Sequence, residues 1–94
     1  MTTDMAETVR AALSRVSKVS IVDASLTSAG VMLLVYRKDD QPWVLLSRRS
    51  QSVTRHSGEI AFPGGVEEDS DLDLEATALR ETFEEIGLHP DHVE

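Results

Sequence analysis

The sequence contains no cysteine, and its nine Lys and Arg residues are far outnumbered by seventeen Asp and Glu residues. The absence of cysteine excludes disulfides and thiolate metal ligands, and it favours a reducing cytoplasm as the compartment. No apolar run reaches membrane-spanning length, and the N-terminus lacks the basic-then-apolar pattern of a signal peptide. The net charge of −8 disfavours a nucleic-acid-binding function, because such proteins are usually basic.

Acidic side chains are concentrated in one stretch, since nine of the seventeen lie between positions 67 and 85. Within it, Glu81, Glu84 and Glu85 have the i, i+3, i+4 spacing that places side chains on one face of a helix. Crowded carboxylates repel each other, and a divalent cation would remove that repulsion; Mg²⁺ and Mn²⁺ prefer such oxygen ligands. The pattern therefore predicts either a metal-binding face or an ordinary solvated acidic face.

The helix that carries these carboxylates has recognisable ends. Asp73 is a favoured N-cap residue, and Gly87 stands where a C-terminal glycine is expected. Just upstream, Gly64-Gly65 predicts a loop that can approach a ligand closely, because glycine lacks a Cβ and tolerates positive φ. The opposite side of the helix is predicted to face the core through a stripe of Ala76, Leu79, Phe83 and Ile86.

The remaining sequence predicts one domain built of short elements. Residues 4–18 have the amphipathic pattern of a helix, with Asp4 and Glu7 as a capping box. The apolar run 31–36 predicts a strand that is buried on both faces. The other predicted elements are a short strand at 19–22, a turn at 39–42, a strand at 43–47 that completes a hairpin, and a short strand at 59–62.

Arginines gather just before the acidic stretch, at Arg48, Arg49 and Arg55. Guanidinium groups bind phosphates with two parallel hydrogen bonds, so this patch predicts a phosphate site. The alternative is a set of surface charges that balance an acidic protein.

Residues 62–88 resemble the Nudix box, G-x5-E-x7-R-E-U-x-E-E-x-G-U, in which U is a bulky apolar residue, when the box is counted from Gly65. Arg80-Glu81, Glu84-Glu85 and Gly87-Leu88 match the box in spacing. Thr82 stands where an apolar residue is usual. Asp71 replaces the first glutamate and is separated from Arg80 by eight residues, where the box has seven.

The extra residue and the aspartate resemble the coenzyme A pyrophosphatase subfamily. A second signature of that subfamily, L-L-T-x-R-[SA]-x3-R-x3-G-x3-F-P-G-G, is similar to residues 45–65. Ser47 replaces its threonine, and Thr54 holds the place of its second arginine, with Arg55 following. Together the two motifs cover residues 45–88.

The resemblance implies an α/β fold, a Nudix-type α/β/α sandwich with a mixed sheet, of which residues 1–94 would form a single but incomplete domain. The family has further strands and a closing helix after the box. An uncovered apolar helix stripe would favour self-association, so a homo-oligomer is expected. Because the family draws part of its pocket from the segment after the box, the 94-residue chain is expected to be weakly active or inactive.

The resemblance also implies hydrolysis of the pyrophosphate bond of coenzyme A or its derivatives, giving 3′,5′-ADP and 4′-phosphopantetheine, with Mg²⁺ or Mn²⁺ as cofactor. The expected partner is thus a small nucleotide, without nucleic acid or membrane. Two alternatives stay open: another nucleoside diphosphate derivative as substrate, or a truncated, non-catalytic domain. The implied residues are metal ligands Glu81, Glu84, Glu85 and the Gly65 carbonyl, catalytic Glu81 and Arg80, and substrate-binding Arg48, Arg49, Arg55 and Gly64.

Overall fold

The computed structural model describes residues 5–48 and 58–94, and it contains both helices and strands. This content confirms the predicted α/β class. No helix in these two ranges is long and apolar enough to cross a membrane. In chain order the elements are α1 (Met5–Leu13), β1 (Ala29–Val31), β2 (Val35–Lys38), β3 (Gln41–Val44), β4 (Ser47–Arg48), β5 (Ile60–Ala61), β6 (Gly64–Val66), α2 (Leu74–Ile86) and a 3₁₀ turn (Pro90–His92).

The strands form three antiparallel pairs, β1 with β6, β2 with β3, and β4 with β5. The β1–β6 pair sets Gly30 opposite Gly65. It is extended beyond the strand ends by hydrogen bonds from Met32 N–H to the Pro63 carbonyl (2.7 Å) and from Glu67 N–H to the Ser28 carbonyl (2.9 Å). The prediction of a glycine loop at residues 64 and 65 is therefore wrong, because both glycines pair with β1.

The apolar run 31–36 is not the continuous, doubly buried strand that its composition predicts. β1 ends at Val31 and β2 begins at Val35, and both Val31 and Leu33 are 61% exposed. The run is divided because its two ends have different partners: β1 pairs with β6, whereas β2 pairs with β3. Such long-range pairings are not encoded in local hydrophobicity.

The predicted hairpin is confirmed, with a shorter turn than expected. Asp39 and Asp40 both have positive φ, 53° and 59°, as in the two-residue turns that suit the twist of a hairpin. Pro42, predicted as part of the turn, lies within β3. Trp43 pairs with Tyr36 across the hairpin and is half-buried, and its Nε1 donates to the Lys38 carbonyl at 3.2 Å.

Helix α2 packs on β1 and β6 mainly through small residues, and the predicted apolar stripe is only partly covered: Ala76 and Leu79 are partly buried, but Phe83 and Ile86 are not. Thr77 and Thr82 are almost completely buried, whereas Phe83 is 48% exposed and Ile86 is 38% exposed. A Cβ on Gly30 would lie 2.5 Å from the carbonyl oxygen of Leu74, so helix and strand are nearly in backbone contact. Such close packing leaves room for threonine and alanine and forces larger side chains to the edge.

Helix α1 ends at Leu13, five residues before the predicted end, and none of its residues is buried. Asp4, of the predicted capping box, lies outside the described residues. No strand forms at 19–22, whereas β5 confirms the short strand predicted within 59–62. Val9 and Leu13 of α1 are exposed. The expected self-association stays a proposal.

Candidate functional site

Both ends of α2 are fixed by the residues that the sequence singles out. The Asp73 side chain accepts a hydrogen bond from Ala76 N–H at 2.8 Å and caps the first turn. Gly87 ends the helix with φ 74°, and its N–H donates to the Phe83 carbonyl at 2.8 Å. The three carboxylates of the acidic face therefore lie on the last two turns of a helix with defined ends.

Arg80 is held by the loop before the helix. Its Nε donates to Asp71 Oδ1 at 2.9 Å and its Nη2 donates to Asp71 Oδ2 at 3.0 Å. Nη2 also donates to the Val66 carbonyl at 3.1 Å, which ties the guanidinium to the end of β6. Two parallel hydrogen bonds to one carboxylate restrict both the position and the plane of the guanidinium.

The third guanidinium nitrogen of Arg80, Nη1, lies close to three glutamate side chains. Nη1 lies 3.0 Å from Glu81 Oε1, 3.3 Å from Glu84 Oε2 and 3.5 Å from Glu68 Oε1. We call these five residues (Glu68, Asp71, Arg80, Glu81 and Glu84) the Arg80 cluster. Sequence reasoning missed Glu68, although its place in the acidic run 67–69 was a signal, and it gave Asp71 no partner.

The two glycines of β6 lie directly against the acidic face. A Cβ on Gly65 would lie 2.5 Å from Cδ of Glu81 and 2.6 Å from its Oε1, so only glycine leaves this carboxylate in place. Gly64 N–H donates to Glu85 Oε2 at 3.2 Å. The two glycines thus allow close approach of Glu81 and of strand β1, and they do not have positive φ, which among the described glycines occurs at Gly58 and Gly87. Close approach of this strand to a ligand or metal stays a prediction.

The main chain of Gly65 is engaged by β1. In an antiparallel ladder, every second pair of opposite residues is joined by main-chain hydrogen bonds. Met32 is bonded to Pro63 and Glu67 to Ser28, and the pair Gly30–Gly65 lies midway between these two pairs. Gly30 and Gly65 therefore also form a hydrogen-bonded pair. The Gly65 carbonyl is therefore directed towards Gly30, and only its second lone pair is left for another ligand.

Within the part of the chain that the structure describes, no three acidic, His or Cys side chains converge as a ready metal cluster. Glu81 and Glu84 form ion pairs with Arg80, and Glu85 accepts a hydrogen bond from Gly64 N–H. The donor set nevertheless fits a hard divalent ion, because it offers carboxylate oxygens from one helix flank beside a glycine strand that leaves space for them.

Only one of the predicted phosphate-binding arginines lies in the described ranges. Arg48 is exposed on β4, where it pairs with Ile60 of β5. Arg49 and Arg55 lie outside the described residues, and their contact with substrate stays a prediction. Gly64, also predicted to bind substrate, uses its N–H to hold Glu85.

Asp71 and Arg80 are both charged at neutral pH. The Arg80 guanidinium, followed by the Glu68 main-chain amide and the Thr77 hydroxyl, holds the pKa of Asp71 well below its usual value. Asp71, followed by Glu81 and Glu68, in turn raises the pKa of Arg80 above its usual range. Both groups therefore keep their charges, and the ion pair is intact, at neutral pH.

We expect Asp71→Asn to lower the Tm at pH 7 by about 5 °C or more, because a side chain only 5% exposed loses its charge opposite Arg80. Since the folded-state pKa of Asp71 is depressed, its contribution to stability is complete above the unfolded-state pKa of about 4, declines progressively below that pH and is gone once the pH falls through the folded-state pKa. The variant should therefore lose less stability than wild type between about pH 4 and pH 2. Thermal unfolding across this range tests the prediction.

Asp69→Asn is the matched control, because Asp69 is an exposed acid of the same loop. Equal pH profiles for Asp71→Asn and Asp69→Asn would contradict a stabilising role specific to Asp71.

Comparison with known proteins gives a consistent result. A model of the NUDIX domain family matches residues 26–94. The Uncharacterized Nudix hydrolase NudL of Klebsiella aerogenes is 44% identical over 66 residues, which cover 70% of this chain and 54% of that protein. Proteins of the same name from Citrobacter koseri and Cronobacter sakazakii are 44% and 41% identical over 66 residues, in each case 34% of the relative. The chain thus spans between about a third and about half the length of these curated relatives.

Proposed function

The chain belongs to the Nudix family, and from this premise we propose that it is a pyrophosphohydrolase domain that uses a divalent metal to cleave coenzyme A or its derivatives. The products would be 3′,5′-ADP and 4′-phosphopantetheine. The observation that carries the proposal is the Arg80 cluster beside the glycine strand β6. It places the carboxylates of the Nudix box on one helix flank, at the edge of a small-residue interface.

Each residue of the acidic flank has a role in this proposal. Glu84 and Glu85 would hold Mg²⁺ or Mn²⁺, with the Gly65 carbonyl as a further ligand and Glu81 as a third carboxylate ligand or as the base that activates water. When bound, the metal neutralises charge on the phosphate oxygens and makes a water nucleophilic. Arg80 orients Glu81 and Glu84 through charge-assisted hydrogen bonds.

The choice of coenzyme A rests on the motifs around the site. Asp71 occupies the place of the first box glutamate and holds Arg80 across the longer spacing. The signature at residues 45–65 adds arginines that would face the phosphates. The displaced Arg55 supports the alternative of another nucleoside diphosphate derivative. A domain that binds metal without turnover is the third possibility.

A product assay with coenzyme A, ADP-ribose and dATP, each with and without Mg²⁺, separates these alternatives. We expect Mg²⁺-dependent release of 3′,5′-ADP from coenzyme A at a higher kcat/KM than product release from the other two substrates. Faster cleavage of ADP-ribose or dATP would favour the second alternative. Metal binding without any product would favour the non-catalytic domain.

Arg49→Ala is expected to lower kcat/KM for coenzyme A by about tenfold, because a phosphate contact of the guanidinium is lost. Its Mg²⁺ affinity should not change, since arginine supplies no metal ligand. Arg10→Ala, which removes the same charge from exposed helix α1, is the control. Equal kcat/KM values for both variants and the wild-type protein would remove Arg49 from the substrate site.

A further inference from the structure

Two threonines are buried on the inner face of α2, but their hydroxyls have different partners. Thr77 is 0% exposed and Thr82 is 1% exposed. The Thr82 hydroxyl donates to the Ala78 carbonyl at 2.7 Å, one turn back in its own helix. The Thr77 hydroxyl lies 3.2 Å from the corresponding carbonyl of Asp73 but only 2.8 Å from Asp71 Oδ2. A hydroxyl has one hydrogen to donate, and the shorter distance to a charged acceptor assigns it to Asp71.

The Asp71 carboxylate accepts four hydrogen bonds from three residues. Oδ2 accepts from Glu68 N–H at 2.9 Å, from Thr77 Oγ1 at 2.8 Å and from Arg80 Nη2 at 3.0 Å. Oδ1 accepts from Arg80 Nε at 2.9 Å. The loop amide and the helix hydroxyl therefore restrain the carboxylate in addition to Arg80. Without the hydroxyl, the carboxylate plane would be held by the loop amide and Arg80 alone.

The plane of that carboxylate determines where Arg80 points. Nε and Nη2 are bound to Asp71, so the rigid guanidinium leaves Nη1 directed at Glu81 and Glu84. A rotation of Asp71 would turn Nη1 away from these carboxylates. Thr77 stands at a variable position of the Nudix box, and the box pattern alone assigns it no part in the site.

We propose that Thr77 is a positioning residue: its hydroxyl fixes Asp71, Asp71 fixes Arg80, and Arg80 sets the Glu81 and Glu84 carboxylates for the metal. The effect on metal binding rests on the proposed function. The effect on Arg80 does not, because it follows from the hydrogen bonds alone.

Thr77→Val removes the hydroxyl and keeps a β-branched side chain of similar volume, and Thr82→Val makes the same change at the other buried threonine. Two quantities are measured on each protein. The first is the hydrogen-exchange rate of the Arg80 Nε–H by NMR, and the second is the Kd for Mn²⁺ from the electron paramagnetic resonance signal of the unbound ion. We expect Thr77→Val to speed the exchange clearly and to weaken Mn²⁺ binding about tenfold, as outer-shell changes commonly do. Thr82→Val should match wild type in both measurements, although it also loses a buried hydrogen bond.

Thr77→Ser keeps the hydroxyl while it removes a methyl group, so it should retain slow exchange and wild-type Mn²⁺ affinity even if it is less stable. Weakened Mn²⁺ binding in Thr77→Ser, or equal changes in the two valine variants, would overturn the proposal, since a merely structural role predicts both. Faster exchange with unchanged Mn²⁺ affinity would overturn the link to the metal. If the wild-type chain binds no Mn²⁺, the proposed function fails, and the exchange data still decide whether Thr77 positions Arg80.

Discussion

Glu84→Gln is expected to lower metal-dependent hydrolysis by about 10²-fold or more at saturating substrate, because a neutral amide is a much weaker ligand for Mg²⁺ than a carboxylate. The fold should be nearly unaffected. The Glu84 side chain is 53% exposed and its ion pair with Arg80 is a surface pair, which contributes little to stability. Loss of one like charge from the crowded face also offsets part of that change. Product release tests the expected loss of activity, and thermal unfolding of the same preparation tests the expected unchanged stability.

Glu75→Gln is the control for this experiment, because Glu75 lies on the first turn of the same helix and the change in charge is identical. It should retain wild-type turnover. Full activity of Glu84→Gln at saturating Mg²⁺ would remove Glu84 from the metal site. An equal loss in the two variants would indicate a general effect of helix charge.

The parts of the site that could be predicted are those fixed by local chemistry. Asp73 and Gly87 define the ends of α2 through bonds within four residues of each, so a sequence shows them directly. The spacing of Glu81 and Glu84 on one flank follows from helix geometry alone. The hydrogen bond from Arg80 to Asp71 was not predictable in this way, because it spans a loop whose path no spacing rule determines.

The wrong predictions share a physical cause: the sequence of a helix or strand does not show which surface it will pack against. A stripe of large apolar residues predicts the buried face only if the surface opposite has space for them. Here the opposite surface is formed by Gly30 and Gly65, and the buried face of α2 is therefore made of small residues. This also explains Thr82, which looked like a departure from the Nudix box. It is nearly fully buried, and its hydroxyl is satisfied by its own helix.

Gly30→Ala is expected to destabilise the fold by about 3 kcal/mol or more, at the upper end of overpacking costs. The added Cβ would lie 2.5 Å from the Leu74 carbonyl oxygen and 2.9 Å from the Ala78 amide nitrogen, both main-chain atoms that cannot rotate away. Helix α2 would have to move off β1. Because Gly64 holds Glu85 across the same interface, Mn²⁺ binding should weaken as well.

Gly87→Ala is the matched comparison, because it tests backbone conformation without any clash. A Cβ there has no neighbour within 4 Å, but φ is 74°, so the cost should be only about 1 kcal/mol. Chemical denaturation of both variants gives the two free energies of unfolding, and Mn²⁺ titration shows whether the site moves with the helix. We expect Gly30→Ala to lose both stability and metal affinity, and Gly87→Ala to lose a little stability alone. A Gly30→Ala protein as stable as Gly87→Ala would mean that α2 and β1 are not packed in backbone contact, and the carboxylates would then need another support.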